Sequence, residues 1–156
     1  MDSADRRSQS TVLSAALRGV RAHRRMRASE VAAVMNMPLR SYEHFETGAG
    51  RLNVERLHRF AAATGSDPYA ILAALALGSP EFARRCADNK LMTIFMVAAQ
   101  EFVAEVGDDI GQLDARMIIN AFTKALKDLG SKASRKDPGD DWLNDRVDRL
   151  NPPTRD

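Results

Sequence analysis

Apolar residues recur at intervals of three and four positions in five short segments between residues 11 and 78. This spacing places them on one face of an α-helix. We therefore predict five helices, over about residues 11–26, 28–35, 39–47, 54–64 and 68–77. Five helices in so short a stretch indicate a compact all-α domain over residues 11–78.

Residues 79–130 carry a different pattern. Between Glu81 and Val106 the chain has no Gly or Pro and is rich in large apolar residues. After a turn at 107–112, a last helix is predicted to end at Gly130. We expect these residues to form a helical hairpin with one apolar stripe on each arm, which would be a dimerisation or interaction domain.

Both ends of the chain are polar. Residues 1–10 are predicted to be disordered, and residues 131–156, rich in Ser, Lys, Asp and Pro, to be a mobile tail. Within that tail, the apolar residues between Trp142 and Leu150 could form a short amphipathic turn of helix.

The composition excludes several classes of protein. No apolar run approaches the roughly 18 residues that cross a bilayer, and the polar N-terminus is not a signal peptide, so we expect a cytoplasmic protein with no membrane partner. The single cysteine excludes an internal disulfide and a cysteine-rich zinc site. The chain has no nucleophile–base–acid set, phosphate-binding loop or metal-ligand cluster, so we expect no enzymatic activity, no metal and no cofactor.

Charge is distributed unevenly along the chain. Residues 1–72 carry 11 Arg and no Lys against 7 acidic residues, a net charge of +4, whereas residues 73–156 carry a net charge of −2. An excess of Arg favours a polyanion as the partner of the N-terminal part, and the C-terminal part is expected to face another protein.

Two of the predicted helices lie on either side of a polar interruption, Asn36-Met37-Pro38. Asn36 suits the left-handed conformation of a sharp turn, and Pro38 suits the start of a helix. In the helix over 39–47, Tyr42 and Phe45 are expected to face the core, which leaves a row of polar side chains outside. Because an α-helix fits the DNA major groove, a helix presented in this way can contact base edges.

The first four predicted helices and the turns between them contain a set of residues whose types and spacing are similar to those of a known protein family. They are Leu17, Arg21, Met26, Glu30, Val31, Ala32, Tyr42, Phe45, Glu46, Gly48, Leu57, Phe60, Ala61 and Gly65. With them, residues 17–72 resemble the helix-turn-helix domain of the XRE family, the lambda-repressor-like or Cro-like fold. The resemblance implies a five-helix domain of that type, followed here by the helical hairpin, with 39–47 as the recognition helix. It also implies a structural ion pair between Arg21 and Glu46.

The resemblance makes the outer face of the recognition helix a candidate for base contacts. The expected contacts are Leu39, Arg40, Ser41, Glu43 and His44. Arg40 is expected to bind guanine O6 and N7 with two hydrogen bonds, and Leu39 to meet a thymine methyl. His44 lies one turn further along the same face and can donate to a base or a phosphate.

Phosphate contacts in the family lie at helix ends and in the loop after the recognition helix, which implies Arg27, Thr47 and Arg51 here. The chain departs from the family pattern at the turn, where Asn36 and Pro38 replace the usual Gly and the Ser or Thr cap. It also has Ala28 in place of a phosphate-binding Gln. Arg27 or Ser29 is expected to take over that contact.

One recognition helix reads only about four base pairs, too few to select a single site in a genome. We therefore expect a homodimer on a palindromic operator in double-stranded DNA. The expected dimer interface consists of Phe82, Ile94, Phe95, Phe102, Ile118 and Phe122. Few convergent polar groups accompany these residues, so a small-molecule effector is not expected.

The sequence thus predicts a sequence-specific, dimeric bacterial transcription regulator. A repressor is favoured over an activator, because a bound dimer need only occlude the polymerase. Two alternatives remain open: a protein-interaction adaptor that retains the helix-turn-helix fold without reading DNA, and an antitoxin-like regulator.

Overall fold

The computed structural model describes residues 2–134, and all regular secondary structure in that range is helical. The all-α class predicted from the sequence is confirmed for these residues. The chain divides into two compact units, the first ending at Glu105 and the second beginning at Val106. The helices are α1 (Ser3–His23), α2 (Ala28–Val34), α3 (Leu39–Glu46), α4 (Val54–Thr64), α5 (Pro68–Leu77), α6 (Pro80–Arg85), α7 (Leu91–Val106), a 3-10 helix (Gly107–Gln112) and α8 (Ala115–Ala133).

Side-chain caps begin α4, α5 and α8. Asn53 accepts a hydrogen bond from the backbone N–H of Arg56 at 3.0 Å, and Asp67 accepts one from Ala70 at 3.1 Å. Asp114 caps α8 in the same way. These carboxylate and amide oxygens satisfy N–H groups that the first helical turn leaves without a partner, and so fix where each helix starts.

The turn between α2 and α3 contains the left-handed residue that the sequence predicted. Asn36 has a φ of 52°. The backbone N–H of Met37 donates to the carbonyl of Ala32, and that of Asn36 donates to the carbonyl of Ala33, both at 3.0 Å. This pair of bonds closes the end of α2 as a Schellman motif. Pro38 stands just before the first residue of α3, in extended conformation.

The core of the first unit is formed by apolar side chains from α1 to α6. Tyr42, Phe60 and Leu17 are among the largest fully buried side chains. The ring of Phe45 lies 6.1 Å from that of Tyr42 and 6.0 Å from that of Phe60, centroid to centroid. Because α3 contributes two of these three rings, its inward face is held firmly and its outward face is fixed in orientation.

Helix α1 begins at Ser3, so residues 3–10, predicted to be disordered, are helical. Asp2 caps the helix by accepting from the N–H of Ser3 at 2.6 Å, and the Thr11 hydroxyl donates to the carbonyl of Arg7 at 2.9 Å. The Ser10 hydroxyl lies 3.4 Å from the carbonyl oxygen of Thr47, at the end of α3. The polar composition of residues 3–10 does not indicate this tertiary contact, which links the first turns of α1 to the end of α3.

Helix α6 packs against α1 and α5, so the first unit continues past the boundary expected at residue 79. Ala83, Cys86 and Ala87 are buried there, and Phe82 is half-buried against the core. Small side chains permit this close packing, but they form no apolar stripe in the sequence. The boundary between the compact units therefore falls at residues 105 and 106.

The second unit contains the 3-10 helix, at the position of the predicted turn, and α8. Helix α8 runs through Gly130, its expected end, to Ala133. The hairpin predicted over residues 79–130 stays a prediction, since it would join α7 of one unit to α8 of the other. The predicted turn between Trp142 and Leu150, and the tail from residue 135, lie outside the described residues. Within residues 2–134, no helix combines the length and apolarity needed to span a membrane.

Candidate nucleic-acid interface

Helix α3 separates its residues into a buried face and an exposed face. Tyr42, Phe45 and Glu46 are buried. All five expected base contacts are exposed, and they are Leu39, Arg40, Ser41, Glu43 and His44. The predicted orientation of the helix is therefore confirmed, while the role of the exposed side chains stays a prediction.

A partly buried ion pair joins α3 to α1. The Arg21 guanidinium donates to Glu46 from Nε at 2.8 Å and from Nη2 at 2.6 Å, and the Tyr42 hydroxyl donates to the same carboxylate. Burial alone would raise the pKa of Glu46, but the hydrogen bonds from Arg21 and Tyr42 outweigh it and hold the pKa below its usual value. Burial and the neighbouring carboxylate raise the pKa of Tyr42. The ion pair expected from the resemblance is thus present.

Helix α2 is held in place at both ends. The Glu30 carboxylate accepts from the backbone N–H of Arg27 at 2.6 Å, at the start of the helix. At its other end the Arg59 guanidinium, from α4, donates to the carbonyl of Met35. The α2–turn–α3 segment is thus attached to both α1 and α4, and its exposed side chains project from a rigid support.

The outer face of α3 continues onto α4 through a residue that sequence reasoning missed. Arg40, Ser41 and His44 line a shallow depression of about 520 Å³ together with Pro38 and Arg56. Arg56 lies in the first turn of α4 and is exposed. The sequence places it beside Leu57, on the side away from the core, but only the packing of α4 brings it next to α3.

A second, larger depression lies beside the first, and we call it the basic groove. Its volume is about 1000 Å³, and it is lined by Arg6, Arg7, Gln9, Ser10, Leu13, His44, Phe45, residues 48–53, Arg56 and Leu75. Four of these side chains are guanidiniums, from Arg6, Arg7, Arg51 and Arg56, and no Asp or Glu is among the lining residues. His44 and Arg56 line both depressions, so the two form one continuous surface.

The expected phosphate contacts divide into two groups. Arg51 lines the basic groove, and Thr47 closes the end of α3, where its hydroxyl donates to the carbonyl of His44 at 2.6 Å. Arg27 and Ser29 are exposed at the start of α2 and do not line the groove. The structure therefore brings Arg51 and the α3 face together, and leaves the α2 pair at a separate place.

Arg24, which directly follows α1, is occupied by contacts within the first unit. The Arg24 guanidinium donates to the carbonyls of Thr64 and Gly65 at 2.7 and 2.8 Å, and to the Asp88 carboxylate at 2.6 Å. Hydrogen bonds from His23 and Arg24 hold the pKa of Asp88 below its usual value. Arg24 therefore links α1 to the segments after α4 and α6, which is a structural role.

The residues expected at a dimer interface lie in different settings. Phe82 is half-buried against the core of its own unit, and its place in a dimer interface stays a prediction. In α7, Ile94, Phe95 and Phe102 are 60%, 43% and 41% exposed. In α8, Ile118 and Phe122 are 37% and 50% exposed. The large apolar side chains of both helices are thus accessible within the described chain.

Comparison of the chain with protein-family models, with curated proteins and with solved structures finds no match. The resemblance to the XRE family therefore rests on the residues of this sequence.

Proposed function

We propose that this protein is a sequence-specific, DNA-binding transcription regulator of the XRE type, with α2 and α3 as its helix-turn-helix and α3 as its recognition helix. One observation carries the proposal: the exposed face of α3 adjoins a groove with four arginines and no acidic residue. A regulator of this kind acts where the DNA is, in the cytoplasm, and needs neither a cofactor nor a catalytic site.

The chemistry of the α3 face suits the major groove. Arg40 presents a planar guanidinium that matches the O6 and N7 acceptors of guanine. Ser41 and His44 can exchange hydrogen bonds with bases or phosphates, and Leu39, 43% exposed, can contact a thymine methyl. Glu43 can accept a hydrogen bond from cytosine N4, and its negative charge repels any phosphate group that comes close to it. This mixture favours selective binding over adhesion to any polyanion.

The Arg21–Glu46 pair and the aromatic core supply the rigidity that base readout needs. A side chain that discriminates between bases by about 1–3 kcal/mol must reach them in one orientation. Glu46 pairs with Arg21 of α1, and Phe45 packs against Phe60 of α4. These contacts set the orientation of the outward face of α3. The preorganised helix therefore loses little conformational entropy on binding.

We further propose that the protein acts as a homodimer on a palindromic site. Both α7 and α8 carry several large, exposed apolar side chains, and exposed apolar patches commonly mark interaction sites. In a two-fold symmetric dimer, two copies of α3 can contact half-sites about one DNA turn apart. Repression would follow if the bound dimer covers a promoter.

Selection from a pool of random-sequence duplexes, followed by footprinting, tests the proposed function. We expect enrichment of a two-fold symmetric site with half-site centres about 10 base pairs apart, and protection of both halves. The matched control is Arg85→Ala, an exposed arginine of α6 outside both depressions. Absence of any enriched sequence, with no duplex binding at low salt, would reject the proposal and favour an adaptor that binds only proteins.

A further inference from the structure

The first turns of α1 lie directly against the end of α3. The Ser10 hydroxyl is 3.4 Å from the carbonyl oxygen of Thr47. At Gly48, whose φ is 70°, a Cβ atom would stand 2.3 Å from the carbonyl oxygen of Ser10 and 3.2 Å from the backbone N of Ser14. Only glycine permits this approach, because both the backbone conformation and the space exclude a side chain. The N-terminal part of α1 is therefore fixed beside the recognition helix.

Beyond Ser10, α1 continues towards its start and carries Arg6 and Arg7 into the basic groove. None of the groove's four guanidiniums has an ion-pair or hydrogen-bond partner within residues 2–134. Arg21 of α1 and Arg24, the residue that directly follows this helix, are both paired with carboxylates. Several like charges in one depression repel one another, and this arrangement becomes favourable when an extended anion neutralises them.

We propose that Arg6 and Arg7 bind phosphate groups of the DNA backbone next to the bases that α3 contacts, so that the basic groove holds one strand of the duplex. This inference rests on the proposed function and extends it by an element, the N-terminal part of α1, to which sequence reasoning assigned no role. The occupant is the phosphodiester backbone of double-stranded DNA.

The size and continuity of the groove favour a strand over a small anion. Residues 3–10 add about 12 Å of helix, which matches the rise of three to four nucleotides along one strand. The volume of about 1000 Å³ is far larger than one phosphate group requires. His44 and Arg56 join the groove to the outer face of α3, so a backbone in the groove leads directly to the bases at that face.

The role in binding follows from the kind of contact. Phosphate contacts carry no sequence information, and each one releases condensed counterions. Arg6 and Arg7 should therefore add affinity for every duplex equally and leave the preference for one sequence over another unchanged. They would also fix the register of α3 along the groove.

The test uses the full chain and a double variant, Arg6→Gln with Arg7→Gln. Binding to the selected duplex and to a random-sequence duplex is measured by fluorescence anisotropy over a series of salt concentrations. We expect the slope of log K against log salt to become shallower by about 0.9 for each lost phosphate contact, which is close to two units for each subunit and roughly 3.6 units for the proposed dimer, with both duplexes. The ratio of the two affinities should stay constant. The matched control is Arg84→Gln with Arg85→Gln in α6, which should leave the slope unchanged.

Each other outcome has a definite meaning. If the double variant keeps the wild-type slope and affinity while Arg40→Ala loses sequence preference, the inference is wrong and the proposed function stands. If the wild-type protein binds no duplex at low salt, both fail. If single-stranded DNA or polyphosphate binds as tightly as the duplex, with the same dependence on Arg6 and Arg7, the groove is a general polyanion site and the inference is overturned. Circular dichroism melting of both double variants verifies that each remains folded.

Discussion

The Arg21 guanidinium and the Glu46 carboxylate form a two-pronged ion pair between α1 and α3, with N–O distances of 2.8 and 2.6 Å. The Glu46 side chain is 7% exposed and that of Arg21 is 25% exposed. The Glu46 carboxylate also accepts a hydrogen bond from the Tyr42 hydroxyl, so it has partners on both of its oxygens. This pair connects α1, which carries Arg6 and Arg7 of the basic groove, to α3, the proposed recognition helix.

We expect Arg21→Met to destabilise the protein by about 3 kcal/mol, because it leaves the buried Glu46 carboxylate without its cation. Chemical denaturation with urea, followed by circular dichroism, measures this change. Arg18→Met is the matched control, since Arg18 Nε is 3.6 Å from the same carboxylate but its side chain is 61% exposed. Its loss should cost less than about 1 kcal/mol. Equal losses of stability in the two variants would contradict the conclusion that Arg21, and not Arg18, is the main ion-pair partner of Glu46.

The same carboxylate predicts a pH dependence of stability. The pKa of Glu46 is lower in the folded protein than in the unfolded chain, so its contribution is complete above the unfolded value of about 4.3. That contribution is lost as the pH falls through the lower, folded pKa. The difference in unfolding free energy between the wild type and Glu46→Gln should therefore be constant from pH 7 to pH 5 and shrink below about pH 4.3.

Urea titrations at several pH values measure this difference. Glu55→Gln is the control, because Glu55 is an exposed acid on α4 and its replacement should change stability by less than about 0.5 kcal/mol at neutral pH. If the difference in unfolding free energy between the wild type and Glu46→Gln stays constant down to pH 3, ionisation of the Glu46 carboxylate is not the source of that stability.

Most helices of the first unit could be predicted, because the sequence features that define them lie within a few residues of one another. The caps at Asn53 and Asp67, the left-handed Asn36 and the three- and four-residue spacing of apolar side chains each act within a few residues. The buried and exposed faces of α3 follow from the same spacing. A pattern confined to one helix can therefore be read without knowing what the helix packs against.

Features that depend on distant residues could not be predicted. One carboxylate oxygen of Asp67 caps α5, and the second accepts from the backbone N–H groups of Met92 and Thr93 at 2.9 and 3.2 Å, at the start of α7. Arg56 and the N-terminal arginines reach the α3 face only through tertiary packing. The burial of α6 depends on small residues that fit against α1, a property that hydrophobic periodicity does not report.

Arg40→Ala should weaken binding to the selected duplex and relax the preference at one base pair in each half-site. Loss of a two-bond contact to guanine costs about 1–3 kcal/mol of discrimination. Binding of a set of duplexes that carry each base at that position, measured by competition, checks this expectation. Arg85→Ala is the control. Unchanged discrimination at every position would remove Arg40 from the set of base contacts.

Arg51→Ala should weaken binding to all duplexes alike, because Arg51 lies in the basic groove, in the loop after α3, and is expected to contact a phosphate. The slope of log K against log salt should become shallower by about 0.9 for each subunit, or roughly 1.8 for the proposed dimer. A salt series with the selected and random-sequence duplexes measures the slope, and Arg84→Ala provides the reference. A loss confined to the selected duplex would mean that Arg51 contacts a base.

Ile94→Asp in α7 and Ile118→Asp in α8 should convert a dimer to a monomer, because each places a charge in the proposed apolar interface. Light scattering should give twice the chain mass of 17.2 kDa for the wild type and the single mass for both variants. Leu77→Asp is the matched control: Leu77 is 63% exposed at the end of α5, outside the proposed interface, and its replacement should preserve the dimer.

The monomeric variants should also lose affinity for the palindromic duplex while keeping weak binding to a half-site, since each retains α3 and the basic groove. A wild-type protein that is monomeric at every concentration, or variants that bind the palindrome as tightly as the wild type, would show that α7 and α8 serve another partner. Because the apolar faces of these helices belong to different compact units, a loss of dimer in only one variant would identify the unit that carries the interface.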